Sequence, residues 1–190
     1  MKNATATYRL LGVDPGTNIL GYALIEIEQK QMKLLDLGVI RLNKWEEHQE
    51  RLRHIFERLQ SIIDSYRPAE LAIEAPFYGK NPQSMLKLGR AQGVAIAAAM
   101  TKGMQITEYS PKKIKQSVTG NGNATKEQVA AMLSSILGFK ADEHALDATD
   151  ALAAAVCHFY QSSSRTAPGK QSYSSWDGFL KNNPGRVKGG

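Results

Sequence analysis

Two carboxylates come directly after short apolar segments that are typical of buried strands. Asp14 follows "LLGV" and precedes a Pro-Gly turn, and Glu74 ends the segment "LAIE". A carboxylate beside a hydrophobic core has a free-energy cost unless it is paired or binds a cation. Asp14 alone is also compatible with an ordinary turn residue, and Lys80 is near enough in sequence to pair with Glu74. Together the two acids indicate a charged site at the ends of two strands.

A second pair of carboxylates lies in "DATDALAAAVCH", which has the composition of a buried helix. Asp147 and Asp150 are three residues apart, so they share one helix face with Ala151 and Ala154. An acid near a helix N-terminus is favourable, which explains Asp147 alone but not the pair. Because like charges at this spacing repel each other, we expect a positive charge between the two acids. His144, one turn earlier, is a further candidate for the site.

Four carboxylates without a matching set of Cys and His residues are typical of a site for hard divalent cations. This donor chemistry favours Mg²⁺ or Mn²⁺ over Zn²⁺. The alanines beside Asp147 and Asp150 would let their helix lie close to a sheet, which would bring both acids to the strand ends. Four acids can hold two ions roughly 4 Å apart, an arrangement that hydrolyses phosphodiesters because one ion activates water and the other stabilises the leaving oxygen.

Hydrophobic periodicity predicts the elements that must position these acids. Three strands joined by tight turns precede alternating helices and strands. The predicted strands cover residues 9–13, 18–27, 32–42, 70–75 and 105–109. Two long helices are predicted over residues 45–66 and 83–101. Three more follow: a short helix that begins at 111, a helix after a Thr125–Gln128 capping box, and a last helix that ends at about 160. This order predicts a single α/β domain over residues 8–160, with a mixed sheet of about five strands flanked by helices.

Positive charge is concentrated in two segments of a chain whose net charge is +6. Residues 111–126 contain no acid and four lysines, which are Lys112, Lys113, Lys115 and Lys126. Residues 161–190, rich in Ser, Gly and Pro, contain one acid and several basic residues, and we expect a basic, flexible C-terminal tail. Clustered charge indicates a polyanionic partner such as nucleic acid, with the lysines as phosphate contacts. A solvated surface without a partner is the alternative.

Composition limits the remaining classes of protein. A chain of 190 residues with 42% hydrophobic content suits one domain with an appendage. We expect no membrane span, because no run of about 18 apolar residues occurs, and no secretory signal, because the N-terminus lacks a charged segment followed by an apolar core. A single cysteine, Cys157, excludes a disulfide scaffold and fits a core position in a protein of the reducing cytoplasm.

Four collinear motifs together resemble the RuvC family of Holliday-junction resolvases. They are "GVDPGTNILGYALI", "LAIEAPFYGKNPQSMLKLGRAQGVAIAAA", "EYSPKKIKQSVTGNGNATKEQV" and "DATDALAAAVCH". The resemblance implies a ribonuclease H-like fold and a homodimer that uses Mg²⁺ or Mn²⁺ to nick four-way DNA junctions at symmetric positions. It also implies 5′-phosphate, ligatable nicks, a role in homologous recombination and DNA repair, and the RuvAB branch-migration complex as a partner.

The resemblance also implies roles for individual residues. It implies that the metal-binding catalytic acids are Asp14, Glu74, Asp147 and Asp150. Some family members have His at the third of these positions, where this chain has Asp147. Lys115 and Lys126 match DNA-contacting lysines of the family, and Phe77 matches an aromatic residue near the junction centre. The sequence around Phe77 supports that role, because an aromatic side chain beside a basic residue, here Lys80, can stack on unpaired bases; a loop aromatic folded onto the core is the alternative.

The motif "GRAQG" places Gly89 and Gly93 on one face of a predicted helix. Glycine lowers helix propensity, so its presence twice on one face indicates that another helix packs very close. That neighbour is either a second subunit or an internal helix, and the resemblance favours the second subunit.

Three other functions are compatible with parts of the pattern. An actin-like ATPase shares the strand order and an acidic turn in its first hairpin, but it normally needs two such domains. A non-catalytic junction-binding protein would not need Asp147 and Asp150 together. A related nuclease that cuts RNA:DNA hybrids would be distinguished by its substrate.

Overall fold

The computed structural model describes residues 7–76, 81–139 and 146–165. A mixed sheet forms the centre of the fold, and its strands are β1 (Tyr8–Asp14), β2 (Ile19–Glu28), β3 (Gln31–Arg41), β4 (Glu70–Glu74) and β5 (Gln105–Tyr109). The spatial order is β3-β2-β1-β4-β5. The first three strands form an antiparallel meander, whereas β4 runs parallel to both β1 and β5. The predicted mixed five-stranded sheet is confirmed, with each strand end within one residue of its predicted position.

Helices cover both faces of the sheet. One face carries α1 (His48–Tyr66) and α2 (Pro82–Met100), and the other carries α3 (Pro111–Thr119), α4 (Lys126–Leu137) and α5 (Leu146–Arg165). Strand residues alternate between the two cores, as a period of two requires. Leu11 and Val13 pack toward α1 and α2, whereas Leu10 and Ala72 pack toward α5. This alternation determines which strand-end side chains face α5.

The helix α5 is the most deeply buried helix in the described part of the chain. Residues 151–158 are all buried, and six of them are Ala, Val or Cys. Cys157 lies in this segment as a buried free thiol, as predicted. Small side chains along the helix reduce the distance at which its backbone can approach the sheet. No helix among the described residues is both long and apolar enough to cross a membrane.

Two helix ends differ from the prediction. The helix α1 begins at His48 rather than at residue 45, because the carbonyl of Trp45 accepts a hydrogen bond from Arg51 Nε at 2.7 Å and stays outside the helix. The helix α5 continues to Arg165, past the predicted end at 160, and Gln161 Nε2 donates to Ser117 Oγ of α3 at 3.2 Å. This tertiary contact offsets the poor helix propensity of the serine-rich segment. The first residues of the predicted tail are therefore helical, and residues 166–190 lie outside the described ranges.

The predicted capping box at the start of α4 is confirmed. Thr125 Oγ1 accepts a hydrogen bond from the Gln128 amide at 3.3 Å, and Gln128 Oε1 accepts one from the Thr125 amide at 2.9 Å. The box fixes the first turn of α4, whose first residue is Lys126.

Candidate active site

Asp14 and Glu74 end two neighbouring parallel strands. The register pairs Val13 of β1 with Ile73 of β4, so the next residue of each strand is one of these acids. Asp14 follows Gly12 by two residues and Glu74 follows Ala72 by two, which places both acids on the sheet face that carries α5. The prediction that these carboxylates lie together at strand ends agrees with this register.

Two strand glycines let α5 approach the sheet closely. A Cβ atom at Gly12 would lie 2.1 Å from the carbonyl oxygen of Ala151, and one at Gly21 would lie 2.2 Å from the carbonyl oxygen of Asp147. Neither position has room for a side chain. The contact brings the first turns of α5, with Asp147 and Asp150, over the ends of β1 and β4. Glycine within a strand is a sign of close backbone approach, and this signal could have identified Gly12 and Gly21 from the sequence.

The electrostatics show that the four acids influence one another. Burial, together with the charges of Glu74 and Asp150, raises the pKa of Asp14 to about 8. Burial and the charge of Asp150 raise the pKa of Glu74 to about 7, while Lys126 and Lys115 act in the opposite direction. A cation close to these two carboxylates would favour their ionised forms.

Lys126 supplies the positive charge that the pair on α5 was expected to need. Its Nζ lies 2.5 Å from Asp150 Oδ2 and 4.0 Å from Asp147 Oδ1. The side chain of Asp150 is mostly buried, with 19% of its surface exposed, whereas that of Asp147 is half exposed. The sequence predicts Lys126 as a DNA contact but not as a partner of these acids, because the ion-paired residues are far apart in the chain.

An open groove of about 740 Å³ lies over the acids. Three of the four lysines in residues 111–126 line it, and its lining residues are Asp14, Pro15, Glu74, Leu88, Ser110, Pro111, Lys112, Lys115, Lys126 and Asp150. Lys113 is exposed on α3 and does not line the groove. The groove therefore combines carboxylates at its floor with cations at one wall.

Two residues that the sequence analysis missed hold the backbone around the acids. Gln92, on the buried face of α2, donates from Nε2 to Glu108 Oε2 at 2.7 Å and to the carbonyl oxygen of Glu74 at 3.4 Å. Arg51 donates to the carbonyl oxygen of Thr17 at 3.1 Å and to Asn18 Oδ1 at 2.8 Å, which fixes the turn after Asp14. The sequence signal for Gln92 is its polar side chain among the alanines of α2.

Several predicted positions are not tested by this geometry. Phe77, Lys80 and His144 lie outside the described residues. Gly89 and Gly93 are described, and a Cβ atom at either would meet nothing within 4 Å. Among the described residues, no helix packs close to these two glycines.

The donor set fits a hard divalent cation. All four groups are carboxylates, which Mg²⁺ and Mn²⁺ prefer, and burial together with neighbouring acids raises the pKa values of Asp14 and Glu74, an effect that a bound cation would offset. In the arrangement observed for residues 7–76, 81–139 and 146–165, no three Asp, Glu, His or Cys side chains already surround one point as metal ligands.

The fold and the site define a nuclease of the ribonuclease H-like class. The family described as "Crossover junction endodeoxyribonuclease RuvC" matches residues 10–158 of the chain. The chain belongs to this RuvC family. Nucleases of the family depend on divalent metal ions.

Similar proteins cover nearly the whole chain. The crossover junction endodeoxyribonuclease RuvC of Cytophaga hutchinsonii is 59% identical over 94% of this chain and 88% of its own length. That of Christiangramia forsetii is 56% identical over 94% of this chain and 92% of its own. The structure of Thermus thermophilus RuvC in complex with a Holliday junction substrate superposes with a TM-score of 0.75, at 31% identity, over 84% of this chain and 98% of that one. The predictions of family, fold class and enzyme class are confirmed, and the actin-like ATPase is not supported.

Proposed function

We propose that this chain cuts four-way DNA junctions by paired symmetric nicks, with Asp14, Glu74, Asp147 and Asp150 as the ligands of two divalent ions, Mg²⁺ or Mn²⁺. The observation that carries the proposal is the convergence of carboxylates from β1, β4 and α5 on the floor of a lysine-lined groove. The relative from Thermus thermophilus, whose structure contains a Holliday junction, supports the choice of substrate.

Different residues of the chain have different roles in the proposed reaction. When bound, the ions would activate the attacking water and stabilise the leaving oxygen. Lys112 and Lys115 bind backbone phosphates along the groove wall, which gives affinity without sequence preference. Gln92 and Arg51 hold the strand ends that carry Glu74 and Asp14.

Further DNA contacts follow from the resemblance to the family. We place Lys113 and Lys126 among the phosphate contacts, and Lys80 beside them. Phe77 would stack on bases at the opened junction centre. The nuclease domain in this proposal spans residues 8–160 with a helical extension to Arg165, and the basic segment beyond it is an appendage.

The biological assembly in this proposal is a homodimer. A twofold dimer matches the near-twofold symmetry of a four-way junction, so that each subunit nicks one strand. The open stripe at Gly89 and Gly93 on α2 supports this face as the contact between subunits. The RuvAB branch-migration complex is the proposed protein partner, in homologous recombination and DNA repair, and the cytoplasm is the proposed compartment.

Substitution of single acids tests the proposal. Asp14→Asn and Asp150→Asn should bind a synthetic four-way junction in Ca²⁺ with near wild-type affinity. Their cleavage in Mg²⁺ should fall by more than about 100-fold, because even the outer-shell partners of a metal contribute about 10–100-fold. Asp64→Asn is the matched control, since Asp64 is an exposed acid paired with Lys102 far from the groove.

Substrate comparison separates the alternatives. The wild-type protein should cut the junction and leave linear duplex and RNA:DNA hybrid intact under the same conditions. Preferred cutting of the hybrid, or retained junction cleavage by both Asn variants, would contradict the proposal. Binding without cleavage in Mg²⁺ and in Mn²⁺ would identify a non-catalytic junction-binding protein.

A further inference from the structure

Lys126 forms ion pairs with two of the proposed metal ligands. Its Nζ lies 2.5 Å from Asp150 Oδ2 and 4.0 Å from Asp147 Oδ1. Among the described residues, Lys126 is the one cation with ion pairs to these acids. About half of its side chain remains exposed, at 54%.

The helix that carries Lys126 does not itself favour a lysine at this position. It is the first residue of α4, directly after the N-cap Thr125. The N-terminus of a helix carries partial positive charge, so a lysine there is unfavourable and an acid is favoured. The capping box holds this turn rigidly, and the ammonium group lies against the acids of α5.

We propose that Lys126 is a built-in counterion, which neutralises Asp147 and Asp150 in the metal-free protein and which an incoming divalent ion displaces. The inference rests on the proposed metal site. An ammonium group at hydrogen-bond distance occupies Oδ2, one of the two Asp150 oxygens through which a metal ion would bind. Two cations cannot both remain there, because like charges at such short range repel strongly.

The groove offers a second position for the displaced side chain of Lys126. Lys126 already lines the groove, together with Lys112 and Lys115. Lysine is a compact charge on a flexible four-carbon stem, so a rotation about that stem turns its ammonium group from the acids toward the groove. There a backbone phosphate would accept it. Metal binding and junction binding are then positively coupled through one side chain, and thermodynamic linkage makes the coupling reciprocal.

Metal binding without DNA is the primary test. The full chain is titrated with Mn²⁺ by calorimetry, with Lys126→Met as the variant and Lys126→Arg as the charge-conserving variant. Lys126→Met should bind Mn²⁺ at least about fivefold more tightly than the wild type, within the usual range of coupling between sites. Lys126→Arg should stay near the wild type. The matched control is Lys102→Met, which removes an equally close ion pair, 2.6 Å to Asp64, far from the groove.

Thermal stability gives a second readout that does not depend on activity. In EDTA, Lys126→Met should melt at a lower temperature than the wild type, because Asp147 and Asp150 lose their counterion. Saturating Mn²⁺ should remove that difference. For Lys102→Met, Mn²⁺ should leave the difference from wild type unchanged.

The outcomes separate this inference from the proposed function. Equal or weaker Mn²⁺ binding by Lys126→Met, alongside loss of binding in Asp150→Asn, overturns the counterion and leaves the metal site intact. Absence of Mn²⁺ binding in the wild type overturns both. If Lys126→Met does not fold in EDTA, Lys126→Gln takes its place. If neither variant folds in EDTA, melting temperatures are compared in saturating Mn²⁺, and a variant that stays less stable than the wild type there overturns the inference.

Discussion

The carbonyl oxygen of Asp147 occupies the space into which a side chain of Gly21 would project. A Cβ atom at Gly21 would lie 2.2 Å from that oxygen, well inside van der Waals contact. A residue in β2 that carries no chemistry of its own thus determines how near a proposed metal ligand lies to the sheet.

Gly21→Ala should therefore reduce both stability and cleavage. Backbone atoms on α5 cannot move aside as a flexible side chain would, so we expect a loss of about 1–3 kcal/mol in the free energy of unfolding, typical of overpacked cores. Urea unfolding measures the loss, and junction cleavage in Mg²⁺ at a temperature where the variant is folded measures the displacement of Asp147. Unchanged cleavage in a folded variant would show that the spacing is not needed.

The stability of the metal-free protein should fall as pH rises. The pKa of Asp14 is raised to about 8 and that of Glu74 to about 7 in the folded chain, so both hold protons that the unfolded chain releases near pH 4. The folded state binds more protons between about pH 4 and pH 8, so the free energy of unfolding decreases over that interval. Urea unfolding in EDTA across this range measures the slope.

Two changes should flatten this slope. Asp14→Asn removes the group with the larger shift, and saturating Mg²⁺ favours the ionised carboxylates. The control Asp64→Asn should keep the wild-type slope. A free energy of unfolding that rises with pH in EDTA would show that the pKa values of these acids are not raised in the folded chain.

Charge removal from the groove wall should weaken junction binding in a salt-dependent way. The double variant Lys112→Ala, Lys115→Ala loses two phosphate contacts, so the slope of log affinity against log salt should become shallower by roughly one for each contact. Fluorescence anisotropy of a labelled junction in Ca²⁺ at several salt concentrations measures it. Lys33→Ala, an exposed lysine on β3 that does not line the groove, is the control. Equal slopes in all three proteins would rule out these phosphate contacts.

Gln92→Leu should impair the site without removing any acid. The substitution leaves Glu108 Oε2 without its 2.7 Å donor and frees the carbonyl of Glu74. Loss of one partner of a buried hydrogen bond costs about 1–3 kcal/mol, which thermal unfolding detects. If Gln92 positions Glu74, the variant should have a lower cleavage rate with unchanged junction affinity. Gln92→Glu should not restore the cleavage rate, because this substitution places a second acid beside Glu108. A loss of stability without any change in cleavage rate would mean that the contact is only structural.

A large residue on the open face of α2 should separate the subunits. Gly93→Arg introduces bulk and charge where the chain itself leaves open space, so a folded monomer is expected by sedimentation or light scattering, together with loss of paired nicks. Met132→Arg, at an exposed apolar position on α4, is the control. A Gly93→Arg protein that remains dimeric would locate the subunit contact elsewhere.

Local sequence patterns predicted most of the fold and the positions of the four acids. Asp14 and Glu74 could be found because each interrupts an apolar strand, and Asp147 with Asp150 because like charges on one helix face need an explanation. The role of Gly12 and Gly21 could not be predicted in the same way, because it depends on which strands α5 crosses. The contacts of Lys126 and Gln92 likewise join elements that are distant in the chain. The end of α5 was placed too early because composition indicated a tail, whereas the contact between Gln161 and Ser117 extends the helix.

In the proposed dimer, the helix α2 would lie between the subunit contact and the active site. Its inner face holds the end of β4 through Gln92, and its outer face is the open stripe at Gly89 and Gly93. In that dimer, the same helix of 19 residues would join the subunit contact to the strand that carries Glu74, which would couple the two active sites.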